Sequence, residues 1–146
     1  MVYGNLSGQY QRTNITTASK VGLVVLCYEK AIQSLKQAKM NYEQKEFEAK
    51  ANALQNAVQI INELQSSLDK DKGGAIAENL DNIYTYLTRR LLEGDIRKDL
   101  SVFDEGIHIL GELKEAWDTV ASEEKQNAPS IPASESIRMR TAQVAA

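Results

Sequence analysis

The sequence predicts an all-α protein: an antiparallel, up-down-up-down four-helix bundle with an extended N-terminal arm and a flexible C-terminal tail. Both prolines, Pro129 and Pro132, lie near the C-terminus, so residues 1–128 contain none. That stretch is rich in Ala, Leu, Glu, Lys and Gln, which favour helices, whereas proline disrupts helix interiors. Four segments within it repeat apolar residues at helical spacings. Short connections favour antiparallel neighbours, which predicts the bundle.

The first two predicted helices are joined without glycine or proline. Apolar residues recur at intervals of three and four over residues 21–42 and again over residues 47–68. Ser19 is the expected N-cap of the first helix, because its hydroxyl accepts a hydrogen bond from a free backbone N–H. Only a change of phase places the turn between the two helices, at residues 41–46.

Glycines mark the ends of the next elements. The charged residues 69–72 and then Gly73-Gly74 are expected to end the second helix, because glycine tolerates the left-handed conformation of a helix C-terminus. The third helix is predicted over residues 76–91 and is expected to end at Gly94-Asp95. The fourth spans residues 100–120.

These elements predict three regions. Residues 1–18 form an N-terminal arm, residues 19–122 the four-helix bundle, and residues 123–146 a flexible tail. The arm is polar but carries three spaced apolar side chains, Tyr3, Leu6 and Tyr10. We expect it to cap a hydrophobic groove of the bundle.

Composition excludes several classes of protein. The net charge of −3 and the sequence pI of about 5.3 argue against nucleic-acid binding. The longest apolar run, residues 21–28, is far shorter than the roughly 20 residues of a membrane-spanning helix, so no membrane insertion is expected. One cysteine and no basic-then-apolar opening segment indicate a reducing, cytoplasmic location.

The sequence holds little chemistry for catalysis. Glu105 and His108 have the spacing of ligands in di-iron helix bundles, but such a site needs the motif twice and two more glutamates, and His108 is the only histidine. Cys27 lies in an apolar helix and is expected to be a buried, inert side chain. We therefore predict no metal, no cofactor and no enzymatic activity.

The helices carry more apolar residues than one core-facing stripe requires. Two explanations remain open: a wide core, or a groove that buries a partner's helix. The extra positions are Leu23, Leu26 and Cys27 in the first helix, Ile60 beside Ile61 in the second, and Val102, Ile109, Leu113, Ala116 and Val120 in the fourth.

Several motifs, in order along residues 10–118, resemble the flagellar secretion chaperone FliS family. They are Tyr10 followed by Thr17-Ala18-Ser19; Leu23 with Leu26-Cys27-Tyr28-Glu29; Ile60-Ile61-x-Glu63-Leu64-x-x-x-Leu68; Gly73-Gly74-x-Ile76-Ala77-x-Asn79-Leu80; Ile83-Tyr84-x-Tyr86-Leu87-x-Arg89-Arg90-Leu91; and Glu115-Ala116-Trp117.

The resemblance implies a non-enzymatic four-helix bundle whose partner is the C-terminal segment of flagellin. That segment would fold around the bundle, which would prevent premature polymerisation and deliver flagellin to the flagellar type III secretion apparatus. The resemblance also implies that the arm around Tyr10 caps a pocket of the free chaperone, and it allows flagellar export-gate components or flagellar regulators as further partners. Apolarity and the family pattern together predict these client contacts: Tyr10, Leu23, Leu26, Ile60, Tyr86, Ile109 and Leu113.

Two other functions compete with this one. A regulatory or scaffold helix bundle would bind a different partner helix and would more readily dimerise through its extra apolar face. A metal-carboxylate bundle enzyme would require bound iron or manganese.

Overall fold

The computed structural model describes residues 20–127, and these form four α-helices joined by short turns. Their bounds are α1 Lys20–Glu43, α2 Phe47–Ser66, α3 Lys70–Arg97 and α4 Ser101–Asn127. The predicted all-α four-helix bundle is confirmed. The predicted arm, the Ser19 cap and residues 128–146 lie outside the described residues. Helix α4 continues to Asn127, past the residue 122 at which we expected the bundle to end.

Helix α1 has the closest packing in the bundle. It lies against α2 and α4, while α3 contacts α2 and α4 at wider spacing and stands diagonally across from α1. Both helices carry fully or nearly fully buried alanines: Ala31 and Ala38 on α1, Ala53 and Ala57 on α2. Because their side chains are small, the two helix backbones approach closely.

Two lysines end helices in the way that glycine usually does. Lys45 (φ 62°) follows α1 and Lys98 (φ 60°) follows α3, both in the left-handed conformation. The backbone N–H groups of Glu46 and Asp99 then donate back to the carbonyls of Asn41 and Gly94, both at 2.8 Å. The α1–α2 turn therefore lies where the change of phase placed it, without a glycine to mark it.

The two predicted glycine stops behave differently. Helix α2 ends at Ser66, before Gly73-Gly74, and Asp69 caps α3 by accepting a hydrogen bond from the Lys72 N–H at 3.1 Å. Gly74 (φ 53°, ψ −131°) then breaks the first turn of α3 from the rest in a conformation open essentially to glycine alone.

The prediction that the third helix ends at Gly94 was wrong. The helix runs on to Arg97, and Gly94 is buried where α3 meets α4. A Cβ atom there would overlap the side chain of Val102. Gly94 therefore serves close helix–helix contact rather than helix termination.

The core contains a buried polar contact across its diagonal. The hydroxyls of Tyr28 on α1 and Tyr84 on α3 are hydrogen-bonded to each other. Burial raises the pKa of both tyrosines, so both hydroxyls keep their protons. The other largest fully buried side chains are Phe103, Leu35, Ile61, Ile76, Leu87, Leu91, Leu110, Val21, Val102 and Val120.

The wide-core explanation accounts for part of the extra apolar surface. Ile60, Val102 and Val120 are at most 3% exposed and belong to the core, as does Cys27, whose burial was expected. By contrast, Phe47, which we placed on the core stripe of the second helix, is 54% exposed.

Replacing either Tyr28 or Tyr84 alone with phenylalanine should lower the free energy of unfolding of the bundle. Each single change leaves the hydroxyl of the other tyrosine buried without its partner. Such an unpaired buried group costs about 1–3 kcal/mol. In urea unfolding, the Tyr28→Phe/Tyr84→Phe double variant should lose less stability than the sum of the two single variants, because it leaves neither hydroxyl of the pair unpaired; additive losses would contradict the pairing.

Replacing Gly94 with alanine should lower the free energy of unfolding by about 1–3 kcal/mol, because the new methyl group overpacks against Val102. Gly111→Ala is the matched control: a Cβ there meets nothing within 4 Å, and it should raise stability by about 0.5–1 kcal/mol. Thermal unfolding followed by circular dichroism measures both, and equal effects at the two positions would refute the close contact.

Candidate protein-binding surface

Three of the residues predicted to bind a partner line one seam, between α3 and α4. The Tyr86 side chain of α3 is 37% exposed, and its hydroxyl donates to Glu105 Oε2 of α4 at 3.0 Å. Ile109 and Leu113 follow Glu105 by about one and two turns on α4, half-buried and packed against the core. The α4 side of the seam is therefore apolar over the two turns that follow Glu105.

At one point along this seam, charged side chains of α3 and α4 contact each other. Arg90 Nε of α3 donates to Glu105 Oε1 at 2.9 Å, so Glu105 accepts from both Arg90 and Tyr86. The Arg90 guanidinium, with a smaller contribution from Tyr86, holds the pKa of Glu105 below its ordinary value, although partial burial opposes this. The same contact raises the pKa of Arg90. This cluster ties α3 to α4 beside the apolar side chains.

A second apolar area lies on α1. Leu23 and Leu26 are half-buried, and neither belongs to the core cluster or to the apolar side chains packed against it. Within the described residues they are therefore apolar surface that the bundle does not use for its own core. Because α4 lies between α1 and α3, a partner that contacts both this area and the α3–α4 seam must extend over α4.

The remaining predicted residues fall elsewhere. Ile60, expected to contact a partner, is 3% exposed and lies in the core, so its apolarity serves folding. Tyr10 lies outside the described residues. The predicted contacts that the structure describes thus fall into three groups: the α3–α4 seam, the surface of α1, and the core position Ile60.

Three exposed apolar side chains of α2 and α3 were not predicted from the sequence. Phe47, Leu92 and Ile96 are 54%, 45% and 81% exposed. Leu92 and Ile96 are four residues apart and lie off the core stripe of α3, which was the available signal. The predicted helix end at Gly94 hid it, because Ile96 then fell in a turn.

The residues with metal-ligand spacing do not converge. Glu105 is engaged by Tyr86 and Arg90, while the exposed His108 pairs with Glu112 through Nε2 at 3.0 Å. In the part of the chain that the structure describes, no cluster of three His, Cys, Asp or Glu side chains could hold a metal ion. None of the helices over residues 20–127 combines the length and apolarity that crossing a membrane requires.

The fold is a four-helix bundle with apolar side chains outside its core, and comparison with known proteins gives the family. The family model described as "Flagellar protein FliS" matches residues 3–124. The flagellar secretion chaperone FliS of Salmonella typhimurium strain LT2 is 36% identical over 108 residues, covering 73% of this chain and 80% of the relative. The flagellar secretion chaperone FliSB of Pseudomonas aeruginosa is 32% identical over 117 residues, covering 77% and 93%. The chain belongs to the FliS family.

The Glu105 cluster should make stability depend on pH. The folded pKa of Glu105 is lowered, so its contribution is present above the ordinary glutamate pKa of about 4.3 and is lost as pH falls through the folded value. The stability difference between wild type and Glu105→Gln, below about 1 kcal/mol at this partly exposed site, should therefore shrink from pH 6 to pH 3. Urea unfolding across that range measures it. Glu115→Gln, an exposed change on the same helix, should show no such trend.

Proposed function

We propose that this protein is a cytoplasmic export chaperone for flagellin. It binds the C-terminal segment of flagellin, prevents premature polymerisation and delivers the subunit to the flagellar type III secretion apparatus. It acts by binding alone, without catalysis. The observation that carries the proposal is apolar surface outside the core, on α1 and along the α3–α4 seam, in a chain of the FliS family.

The distribution of that surface supports an extended partner over a globular one. Leu23 and Leu26 lie on α1, whereas Tyr86, Ile109 and Leu113 lie along the α3–α4 seam. A flexible segment can order itself along both areas, while a single rigid surface reaches one of them. Ordering such a segment costs on the order of 2–5 kcal/mol, which burial of apolar surface offsets.

The N-terminal arm has a role in this proposal. Tyr10, within a polar segment, caps the groove of the free chaperone and takes part in client binding when flagellin arrives. Export-gate components and flagellar regulators are further proposed partners, which would act on the chaperone after its client is bound.

Calorimetric titration of the protein with a peptide of the last ~40 residues of flagellin from the same organism tests the proposal, a length suited to coupled folding over 1,000–3,000 Å². We expect one-to-one binding with a negative heat-capacity change. Leu26→Ser and Tyr10→Ala should each weaken binding about tenfold, as expected for losing much of one large apolar contact, with helicity unchanged. Gln55→Ser, at an exposed polar position on α2, is the matched control.

Two outcomes would contradict the proposal in different ways. Unchanged affinity in Tyr10→Ala would remove the arm from client binding but leave the chaperone function. If the folded bundle does not bind the peptide at all, a regulatory or scaffold bundle for a different partner helix becomes the better explanation.

A further inference from the structure

Tyr86 is the most exposed of the proposed flagellin contacts that the structure describes, and it is also held at its far end. The residue is 37% exposed, whereas the other proposed contacts within residues 20–127 are half-buried or buried. An exposed side chain on a helix surface exchanges between rotamers within nanoseconds unless another group restrains it. Tyr86 has such a restraint, because its hydroxyl donates to Glu105 Oε2 across the α3–α4 seam at 3.0 Å.

This hydrogen bond restrains the orientation of the whole Tyr86 ring. The hydroxyl is the side-chain atom farthest from the backbone, so a change of the χ1 rotamer would carry it out of hydrogen-bond reach of Glu105. A flip of the ring about χ2 leaves the hydroxyl in place and does not change the space that the ring fills. The ring therefore keeps one position along the seam.

Glu105 is itself fixed by a second donor. Its other oxygen, Oε1, accepts from Arg90 Nε at 2.9 Å, so both carboxylate oxygens are engaged. Arg90 lies one turn after Tyr86 on α3, and the Arg90 and Glu105 side chains are only 36% and 34% exposed. The arginine lowers the pKa of Glu105, which keeps the carboxylate charged. A charged carboxylate is a stronger acceptor than a neutral group for the tyrosine hydroxyl.

The backbone on both sides of this bond is packed against α1. On α3, Tyr84 precedes Tyr86 by two residues and is hydrogen-bonded in the core to Tyr28 of α1. On α4, Gly106 follows Glu105 directly and is buried, and a Cβ atom there would lie 3.0 Å from a leucine side chain of α1. The bond between Tyr86 and Glu105 therefore joins two points that the core already holds in place.

We propose that Glu105 is a positioning residue for flagellin binding: it holds the Tyr86 ring in the orientation in which the client contacts it. The inference rests on the proposed function, in which Tyr86 is a client contact. Because the ring is ordered before the client arrives, less side-chain entropy is lost on binding. Arg90 acts one step further away, by fixing the carboxylate.

The opposite role for Glu105 would be that of a latch. If the client could enter the seam only after the Tyr86 ring swings aside, loss of the Glu105 bond would strengthen binding. The positions of Ile109 and Leu113 favour positioning instead. These side chains follow Glu105 on α4 and are partly exposed along the seam while Tyr86 stays bonded, so a client reaches them without moving the ring.

The first of two measurements on the full chain needs no client. Three-bond NMR couplings of isotope-labelled tyrosine report the χ1 rotamer of Tyr86, whose signals are assigned with Tyr86→Phe. We expect a single rotamer in the wild type, averaging between rotamers in Glu105→Ala, and an intermediate result in Arg90→Ala. Glu115→Ala removes the same atoms from an exposed position of α4, so it is the matched control and should keep the single rotamer.

The second measurement is the affinity for the flagellin peptide, by calorimetric titration. Glu105→Ala should weaken binding about two- to tenfold, which corresponds to ordering one large side chain on binding. Glu115→Ala should leave the affinity unchanged. In a Tyr86→Phe background, which already lacks the bond, Glu105→Ala should cause no further loss of affinity. A purely structural tie between α3 and α4 would lower stability without this dependence on Tyr86.

Three results would overturn the inference alone: a single Tyr86 rotamer in Glu105→Ala, unchanged or tighter peptide binding by that variant, or an equal loss of affinity in the Tyr86→Phe background. A wild-type protein that does not bind the peptide would overturn the proposed function as well, so the two failures are distinguishable. Because Glu105 and Arg90 are partly exposed, we expect each variant to fold, and thermal unfolding followed by circular dichroism checks this.

Discussion

The hydrogen-bonded hydroxyls of Tyr28 and Tyr84 join α1 and α3, which stand diagonally across the bundle from each other. Helix α1 packs closely against α2 and α4, whereas α3 packs less closely against its neighbours over most of its length. A polar contact in an apolar interior is directional, because an unpaired hydroxyl there is costly. The pair therefore fixes how far along its axis α3 lies relative to α1, and the position of both seams lined by α3 depends on it.

The two seams of α3 are closed by polar contacts at intervals, and apolar side chains lie between or beside them. On the α2 side, Gln65 Nε2 donates to Asp81 Oδ1 at 2.7 Å, and Lys50 pairs with Asp95 farther along. On the α4 side, Glu105 accepts hydrogen bonds from Tyr86 and Arg90. These polar contacts set the distance between α3 and its two neighbours but do not fill the seams with side chains. Apolar side chains can therefore remain partly exposed on both sides of α3.

Much of the fold follows from the sequence, because four runs of helical periodicity without proline have few alternatives. The α1–α2 turn was placed correctly from phase alone. The end of α3 was not, because glycine has two uses: it tolerates a left-handed C-terminus, and it lets two backbones meet. Only the tertiary position of Val102 distinguishes these uses for Gly94, while Lys98 takes the left-handed position that local sequence did not mark.

The candidate sites were less predictable for the same kind of reason. Periodicity identifies which residues are apolar and share a face, but not how wide the core is. Ile60 and Phe47 both lie on α2, yet Ile60, an extra apolar position, is buried in the core, whereas Phe47, at the start of the helix, is exposed. The surplus on α1, at Leu23 and Leu26, was recognisable because the first turns of that helix are apolar nearly all round.

The contact between Gly94 and Val102 also constrains how this protein can change over evolutionary time. The space between α3 and α4 at this point is shared by two positions, and at present one of them holds a side chain while the other holds none. A smaller residue at 102 would free room for a methyl group at 94, so substitutions at the two positions are coupled rather than independent. Among relatives, a larger residue at position 94 should therefore occur together with a smaller residue at position 102, because the space at this helix crossing is limited.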